Sequence, residues 1–182
     1  MIYMFIAEGF EEIEALCPLD IIRRAGLEIR TVGIGGKEIT GAHSITVTTD
    51  MSDAEYAALD DKTAEMVFLP GGMPGTLNLA ASEIVINAVR DAFDNGRYIA
   101  AICAAPLVLG RRGLLKGKEA TCYPGFENEL VGAEISSFSV VTDGNITTAK
   151  GMGAALGFAT ELVRIFCGEE KAKQLSEAVM DE

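Results

Sequence analysis

The sequence predicts an α/β fold in which a mostly parallel sheet carries helices on both faces and is joined by a small β-hairpin. The first observation is that short apolar runs typical of buried strands alternate along the chain with segments of helical periodicity. Such alternation is typical of parallel strands connected by crossover helices. The second observation is an Asp143-Gly144 pair between two strand-like runs, which strongly indicates a hairpin.

The first half of the chain begins with an apolar strand at Met1–Ala7. A helix is predicted at Glu11–Ala25, because apolar residues recur there at helical spacing and Gly26 provides a stop. The next predicted elements are a strand at Leu27–Gly33, two short strands punctuated by Gly35-Gly36 and Gly41 and ending near Thr48, and a buried strand at Glu65–Leu69 that Pro70-Gly71-Gly72 ends.

The second half continues the alternation before its pattern changes after Gly117. A helix at Gly153–Phe166 is apolar on nearly every face, so it is either deeply buried or shared with a partner. The other predicted elements are helices at Leu77–Ala80 and Ser82–Asn95, a core strand at Tyr98–Ile102, a helix at Ala104–Arg111, strands at Lys118–Cys122, Ser136–Val141 and Asn145–Thr148, and an amphipathic closing helix at Glu169–Met180.

Length and composition favour one globular domain spanning residues 1–182, without repeats, low-complexity tracts or linkers. The net charge of −12 argues against a nucleic-acid partner, because phosphate backbones require a basic surface. No apolar stretch has the length of a membrane helix, so no membrane association is expected. Met1–Ile6 is better explained as a first strand than as a signal peptide.

The four cysteines are far apart in the sequence, with no CxxC pair and no Cys/His cluster; they are Cys17, Cys103, Cys122 and Cys167. This spacing predicts free thiols in a reducing cytoplasm. It also argues against a zinc site, and we expect neither a metal nor an organic cofactor.

Cys103 directly follows the apolar strand Tyr98–Ile102 and precedes two alanines and Pro106. Because proline suits the first turn of a helix, the segment predicts a sharp strand-to-helix turn with an exposed sulfur atom. The backbone amides that follow favour a thiolate, which is the reactive form of the side chain. The sequence therefore predicts a reactive cysteine at the carboxyl edge of the sheet, where the sites of open α/β sheets collect.

Two other strand ends carry candidate site residues. Gly71 and Gly72 leave their backbone N–H groups uncovered, which suits an oxyanion or a thiolate, although a tight turn alone also explains them. Glu11 and Glu12 are expected to be solvated residues of a first helical turn, where their charge complements the helix dipole.

Glu14 lies beside the apolar stripe of the same helix and is either solvated, as most helix glutamates are, or drawn into the interior. Burial would raise the pKa of its carboxyl, which could then donate a hydrogen bond. Lowering a thiol pKa from about 8.5 to about 5.5 requires roughly 4 kcal/mol, which a helix end and a charge-assisted hydrogen bond supply only together. We therefore expect Cys103 to titrate well below neutral pH, and markedly higher in a Glu14→Leu variant.

Several short motifs occur in order along nearly the whole chain. They are Glu8-Gly9-Phe10-Glu11-Glu12-Ile13-Glu14, Pro18-Leu19-Asp20, Arg23-Arg24-Ala25-Gly26, Leu69-Pro70-Gly71-Gly72, Ala100-Ala101-Ile102-Cys103-Ala104-Ala105-Pro106 and Asp143-Gly144-Asn145. Together they resemble the motifs of the DJ-1 superfamily, also called the ThiJ/PfpI family. The resemblance is greatest to small bacterial members related to the parkinsonism-associated protein.

The resemblance implies a flavodoxin-like three-layer sandwich that forms a homodimer. It implies that Cys103 is the nucleophile and an oxidation-sensitive thiol, and that Glu14 is a protonated acid in contact with it. The backbone amides around the site would come from Gly71, Gly72 and Ala104.

Departures from the family pattern bear on the choice of function. Ala104 stands where protease-like members carry a histidine, which disfavours peptide hydrolysis by a Cys–His pair. Tyr123, just before Pro124, occupies a position at which glyoxalase or deglycase members often place a histidine, so Glu14 would have to act as the base. The family's Ser-Arg-Gly-Pro-Gly-Thr turn is replaced by residues 149–154 of this chain, so the contacts made there are expected to differ.

His43 is the single histidine of the chain. It is either an exposed turn residue or, by the resemblance, a group that approaches the site from the dimer partner. Cys17 and Cys167 lie on apolar helix faces and are expected in the core. Cys122 is either a resolving thiol near the pocket or an inert residue at a strand end.

Two functions follow from the same thiol. The first is a cofactor-free glyoxalase or deglycase that acts on methylglyoxal or an early glycation adduct and forms lactate. The second is a redox-sensing or chaperone-like protein whose Cys103 is oxidised to sulfinic acid without turnover. Protease or amidase activity is the weaker alternative, because no residue in the sequence supports it.

Overall fold

The computed structural model describes residues 1–180. In chain order its strands are β1 (Ile2–Ala7), β2 (Ile29–Ile34), β3 (Glu38–Thr40), β4 (Thr46–Thr48), β5 (Met51–Ser52), β6 (Met66–Leu69), β7 (Tyr98–Ile102), β8 (Glu119–Ala120), β9 (Glu134–Ile135), β10 (Val140–Asp143) and β11 (Ile146–Ala149). The helices are α1 (Glu12–Arg24), α2 (Asp53–Ala57), α3 (Gly75–Ala81), α4 (Glu83–Asp94), α5 (Pro106–Gly110), α6 (Ala155–Cys167) and α7 (Glu169–Ala178).

The central sheet has the strand order β10-β11-β7-β6-β1-β2-β5. All of its neighbouring strands are parallel except β10, which pairs antiparallel with β11 across the turn at Asp143-Gly144. The predicted α/β fold with a mostly parallel sheet and a small hairpin is therefore confirmed. The hairpin extends the central sheet at one edge.

Helices cover both faces of the sheet, which explains why the core strands are apolar at every position. Successive residues of β1 point to opposite faces: Phe5 packs in one hydrophobic cluster, and Met4 and Ile6 pack in another. Side chains of α2, α3, α4 and α5 complete the first cluster, and side chains of α1 and α6 complete the second.

The apolar helix α6 is buried between the sheet and two other helices. Phe158 makes an edge-to-face contact with Phe68 of β6 at a centroid distance of 5.5 Å. Ala159 and Val163 pack with Ile21 of α1 and with α7. Because α6 packs against the sheet and against two helices, its apolar faces have partners within the chain. This packing favours deep burial of the helix over an apolar face shared with a partner molecule.

Three local features differ from the sequence-based expectation. Cys167, the last residue of α6, is exposed, so its predicted place in the core is wrong; Cys17 is partly buried. The strand expected at Lys118–Cys122 is limited to β8, which pairs with β9 outside the central sheet. The β5–α2 unit was not predicted, although Ser52 and Glu55 form a reciprocal capping box whose Ser-x-x-Glu pattern is visible in the sequence.

In the part of the chain that the structure describes, no helix combines the length and apolarity needed to cross a lipid bilayer.

Candidate active site

Cys103 lies at a strained turn immediately after β7. Its φ is +65°, a backbone conformation that costs a non-glycine residue about 1–3 kcal/mol. Two hydrogen bonds hold the turn: the N–H of Cys103 donates to the carbonyl oxygen of Ala149, and the N–H of Tyr123 donates to the carbonyl oxygen of Cys103, both at 2.8 Å. Cys103 is a partly buried residue, so part of it is accessible at the carboxyl edge of the sheet.

The backbone around the sulfur supplies hydrogen-bond donors. The N–H groups of Gly72 and Ala104 face the Cys103 sulfur and favour its anionic form. The helix α5 that follows has only five residues and begins at Pro106, so its dipole contributes little beyond these two amides.

Glu14 lies in the first turn of α1 and is only 1% exposed. Glu11 caps the helix and accepts the Glu14 N–H at 2.7 Å, which fixes where the helix begins. The Glu14 carboxyl faces the Cys103 thiol and the N–H groups of Gly71 and Met152. Among residues 1–180, however, its buried Oε2 atom has no hydrogen-bond partner of regular geometry.

Gly71 allows the carboxyl and the thiol to approach each other. A Cβ atom at this position would overlap Glu14 Oε2 and lie 2.5 Å from Cys103 Cβ and 2.9 Å from the carbonyl oxygen of Ile102. The glycine is therefore required by the close packing of the pair, beyond any role in a tight turn. Its N–H faces the Glu14 carboxyl rather than the sulfur.

The pKa values of Glu14 and Cys103 are both raised. Burial raises the pKa of Glu14 to about 7, and the nearby Glu11 carboxylate adds to the effect. Burial also raises the pKa of the Cys103 thiol to about 12, and the negative charge of an ionised Glu14 adds to the effect. We expected the Cys103 thiol to titrate well below neutral pH. That expectation is wrong while Glu14 is ionised, because it did not include the cost of burying a negatively charged sulfur beside a carboxylate.

The two groups share one proton once the first has been lost. With the proton on sulfur, the Glu14 carboxylate accepts a hydrogen bond from the thiol; with the proton on oxygen, the carboxyl donates to a thiolate. Both arrangements carry one negative charge, so the groups titrate as a pair. The geometry thus places an accessible thiol beside a buried acid with which it can exchange a proton.

His43 pairs with Glu12 and does not contact Cys103 within this chain. The backbone N–H of His43 donates to Glu12 Oε1 at 2.7 Å, and the ring Nδ1 of His43 lies 2.8 Å from Glu12 Oε2. Glu12 is 3% exposed, so the expectation that it is solvated is wrong. The loop at Gly41–His43 covers it, and the hydrogen bond to Glu12 raises the pKa of the exposed imidazole. An approach of His43 to the site of a partner subunit stays a prediction.

Glu11, Glu12 and His43 are also brought close enough to form a possible metal-ligand group, with ligand atoms within 4.8 Å of one another. The sequence did not suggest this grouping, because the loop that carries His43 is distant from α1 in the chain. The hydrogen bonds between His43 and Glu12 already engage both oxygens of the Glu12 carboxylate, so we interpret the group as an ion pair.

Tyr123 and Pro124 lie beside the site and are both exposed. The backbone of Tyr123 is bound to Cys103, and its ring approaches the turn at Gly151. Cys122 is buried, and burial raises the pKa of its thiol to about 11. Cys122 is a buried residue, whereas Cys103 is only partly buried, and this burial favours the inert alternative for Cys122.

Gly151 and Met152 were not identified as site residues from the sequence. A Cβ atom at Gly151 would lie 3.4 Å from Glu14 Oε1, and the N–H of Met152 faces the same carboxyl. The sequence did offer one indication that this segment belongs to the site. Residues 149–154 stand where the family carries its Ser-Arg-Gly-Pro-Gly-Thr turn, and a segment that aligns with such a turn tends to keep its place even where its residues change.

Known proteins resemble this chain over most of its length. The model of the DJ-1/PfpI family matches residues 1–165. Protein dj-1beta of Drosophila melanogaster is 34% identical over 180 residues, which covers 97% of this chain and 95% of that protein. The protein named Deglycase TK1284, from Thermococcus kodakarensis, is 29% identical over 161 residues, covering 87% of this chain and 95% of that protein.

The fold matches solved structures over almost its whole length. The structure of oxidized Toxoplasma gondii DJ-1 has a TM-score of 0.93 and 28% identity, and the match covers 98% of this chain and 97% of that chain. A cysteine at a strained turn after β7, a buried glutamate from α1 beside it, and a family match over most of the sequence lead to one conclusion. The chain belongs to the DJ-1/PfpI family.

Proposed function

We propose that the protein is a cofactor-free glyoxalase III or deglycase that acts through Cys103 on methylglyoxal or on early glycation adducts. The observation that carries this proposal is the contact between a partly buried thiol and a buried carboxyl whose pKa is about 7. A group with a pKa near the working pH can both give and take a proton, as the reaction requires. The similarity to a deglycase-named archaeal protein supports the same class.

In the first step, the Cys103 thiolate attacks the aldehyde carbon of methylglyoxal and a C–S bond forms. The π electrons of the carbonyl move to its oxygen, which takes the proton from Glu14 and leaves a neutral hemithioacetal. The N–H groups of Gly72 and Ala104, which face the sulfur, are placed to stabilise negative charge as it develops beside it.

In the second step, the Glu14 carboxylate removes the proton from the carbon that carries the sulfur, and an enediolate forms. Glu14 returns that proton to the neighbouring carbon while the hydroxyl proton of the former hemithioacetal moves to the neighbouring oxygen, which produces a lactoyl thioester on Cys103. Water hydrolyses the thioester to lactate and the free thiol, so the balance is methylglyoxal plus water to lactate. With an adduct of an amine, the first proton goes to the departing nitrogen instead, and the amine leaves as the C–S bond forms.

The test is to incubate purified protein with methylglyoxal in the absence of glutathione and to measure lactate. We expect Cys103→Ser to reduce lactate formation by at least ~10³-fold, because the nucleophile is lost. We expect Glu14→Gln to lower kcat by at least ~10²-fold, because the amide cannot move the proton. Wild-type protein that forms no more lactate than Cys103→Ser would contradict the proposal.

A redox-sensing role is a second candidate, and one feature of the site favours it. The N–H groups that face the Cys103 sulfur can also stabilise the oxygen atoms of an oxidised cysteine. Peroxide is the oxidant: the thiolate attacks one peroxide oxygen, an S–O bond forms, and the O–O bond breaks as hydroxide leaves. A second peroxide molecule converts the resulting sulfenate to sulfinate with release of water.

Mass spectrometry after mild peroxide treatment tests this candidate. We expect two oxygen atoms to be added selectively to the peptide that contains Cys103, because its sulfur is accessible and held among hydrogen-bond donors. Cys167 is the matched control, since it is exposed but lies at the end of α6, outside the strained turn that holds Cys103. Equal oxidation of the two cysteines would argue against a sensor.

A further inference from the structure

We propose that the Cys103 site selects uncharged electrophiles that carry an apolar or aromatic group, and discriminates against anionic ones. What this selectivity implies about the physiological substrate rests on the proposed function. The selectivity itself is a property of the Cys103 thiol and its surroundings. Two independent observations point to it: the sign of the charges around the pair, and the character of the exposed side chains beside it.

Within residues 1–180 of this chain, the charged side chains that shift the pKa values of the pair are acidic. The Glu14 carboxylate acts on Cys103, and the Glu11 carboxylate acts on Glu14. Of the cationic groups on adjoining segments, Nδ1 of His43 contacts the Glu12 carboxylate, and Nζ of Lys150 donates to the carbonyl oxygen of Ser137 at 2.6 Å rather than to either member of the pair. With a net charge of −12 on the whole chain, an incoming carboxylate or phosphate meets repulsion at long and short range.

Three residues whose backbones adjoin the pair carry exposed, largely apolar side chains, and we call these residues, Met73, Tyr123 and Met152, the rim. Each is anchored to the site by its backbone or by a direct neighbour: Met73 follows Gly72, Tyr123 donates its N–H to Cys103, and Met152 directs its N–H to Glu14. Their side chains are 43%, 50% and 56% exposed, respectively. Large apolar groups left in water beside a reactive atom favour an apolar ligand, which would cover them.

Tyr123 carries the aromatic ring of the rim, and this ring lies near the Glu14 carboxyl. A Cβ atom at Gly151 would lie 3.2 Å from Cδ2 of this ring and 3.4 Å from Glu14 Oε1, so the ring and the carboxyl border the same small space. Because its backbone is tied to Cys103, the ring can form a wall against which a planar substituent of a bound electrophile would pack.

Alkylation of Cys103 tests the selectivity without any requirement for turnover. The reagents are iodoacetamide, iodoacetate and N-benzyl iodoacetamide, with each rate divided by the rate for free cysteine and followed on the Cys103 peptide by mass spectrometry. We expect iodoacetate to be disfavoured at least about tenfold relative to iodoacetamide at low salt, and less so in 1 M salt, where charge repulsion is screened. We expect the benzyl reagent to be favoured at least about threefold.

Variants of the rim residues test whether the Tyr123 ring causes the preference for the benzyl reagent. Tyr123→Ala should lose the preference for the benzyl reagent, whereas Tyr123→Phe should keep it, because it retains the ring and removes only the hydroxyl. Met152→Ala should lower the preference, and Met180→Ala, at an exposed methionine near the end of the chain, should not change it. An unchanged benzyl preference in Tyr123→Ala would overturn the inference, as would equal normalised rates for iodoacetate and iodoacetamide.

Turnover extends the test to the proposed reaction. Phenylglyoxal should be converted with a higher kcat/KM than methylglyoxal, and 4-carboxyphenylglyoxal, which keeps the ketoaldehyde and the ring but is anionic, with a lower one than phenylglyoxal. If no aldehyde is converted while the alkylation preferences persist, the proposed function fails and the selectivity of the thiol stands. Conversion of 4-carboxyphenylglyoxal as efficient as that of phenylglyoxal would overturn the selectivity.

Discussion

Gly71→Ala is expected to destabilise the protein by about 3 kcal/mol or more and to separate Glu14 from Cys103. The added methyl group would overlap Glu14 Oε2 and lie within 3.0 Å of both Cys103 Cβ and the carbonyl oxygen of Ile102. Glu14 Oε2 ends a side chain that could turn away from the new methyl group, but Cys103 is held in a strained turn and the Ile102 oxygen belongs to the backbone of β7. Relief therefore requires movement of the strand or of α1.

Urea unfolding measures the loss of stability, and Gly157→Ala is the matched control. Gly157 lies within α6, and a Cβ atom there would meet nothing within 4 Å. The same substitution should therefore stabilise the protein by roughly 0.5–1 kcal/mol through helix propensity. Comparable stability of the two variants would show that the close packing at Gly71 is relieved without cost, and would contradict the account of the site given above.

Glu14→Gln is expected to stabilise the protein at pH 8 while it abolishes the proposed chemistry. The folded protein raises the pKa of Glu14 from its ordinary 4.5 to about 7, so the native state holds this proton more tightly than the unfolded chain does. Stability is therefore lost as pH rises from about 4.5 to about 7, and the full penalty persists above that range. A rise to about 7 corresponds to about 3 kcal/mol, which the amide removes because it cannot ionise.

Urea unfolding of both proteins at pH 4.5 and pH 8 checks this expectation. The free energy of unfolding of Glu14→Gln should exceed that of the wild type by about 2–3 kcal/mol at pH 8, and the difference should shrink toward zero at pH 4.5. Glu38→Gln, at an exposed glutamate on β3, should show no such pH-dependent gain. A difference that is the same at both pH values would mean that Glu14 is not destabilised by ionisation in the folded state.

Local sequence patterns were sufficient for the elements that position the site. Continuous apolar runs identified the strands that lead to Glu14, Gly71 and Cys103, and the convergence of parallel strands at one sheet edge predicted that these residues lie together. The α/β class and the hairpin at Asp143-Gly144 followed from the same kind of evidence. The unpredicted β5–α2 unit carries a capping motif, but its strand is only two residues long and has no periodicity to detect.

Features that depend on contacts between distant segments could not be predicted in this way. Glu12 was expected in solvent, yet a loop about thirty residues later in the chain covers it and supplies His43 as its partner. The raised pKa of the Cys103 thiol depends on how completely neighbouring segments exclude water, which a residue list does not state. Met152 likewise acts through its backbone N–H, and a backbone group leaves no trace in the side-chain pattern.

The hydrogen bonds that hold Cys103 have a consequence for the order in which the site is completed during biosynthesis. The acceptor for its N–H is Ala149, and the amide that reaches Glu14 from the far side belongs to Met152. A nascent chain that has emerged from the ribosome as far as Cys103, but not as far as Ala149, lacks both groups. The thiol therefore acquires these surroundings only after the segment that carries Ala149 and Met152 has been synthesised and has folded against it.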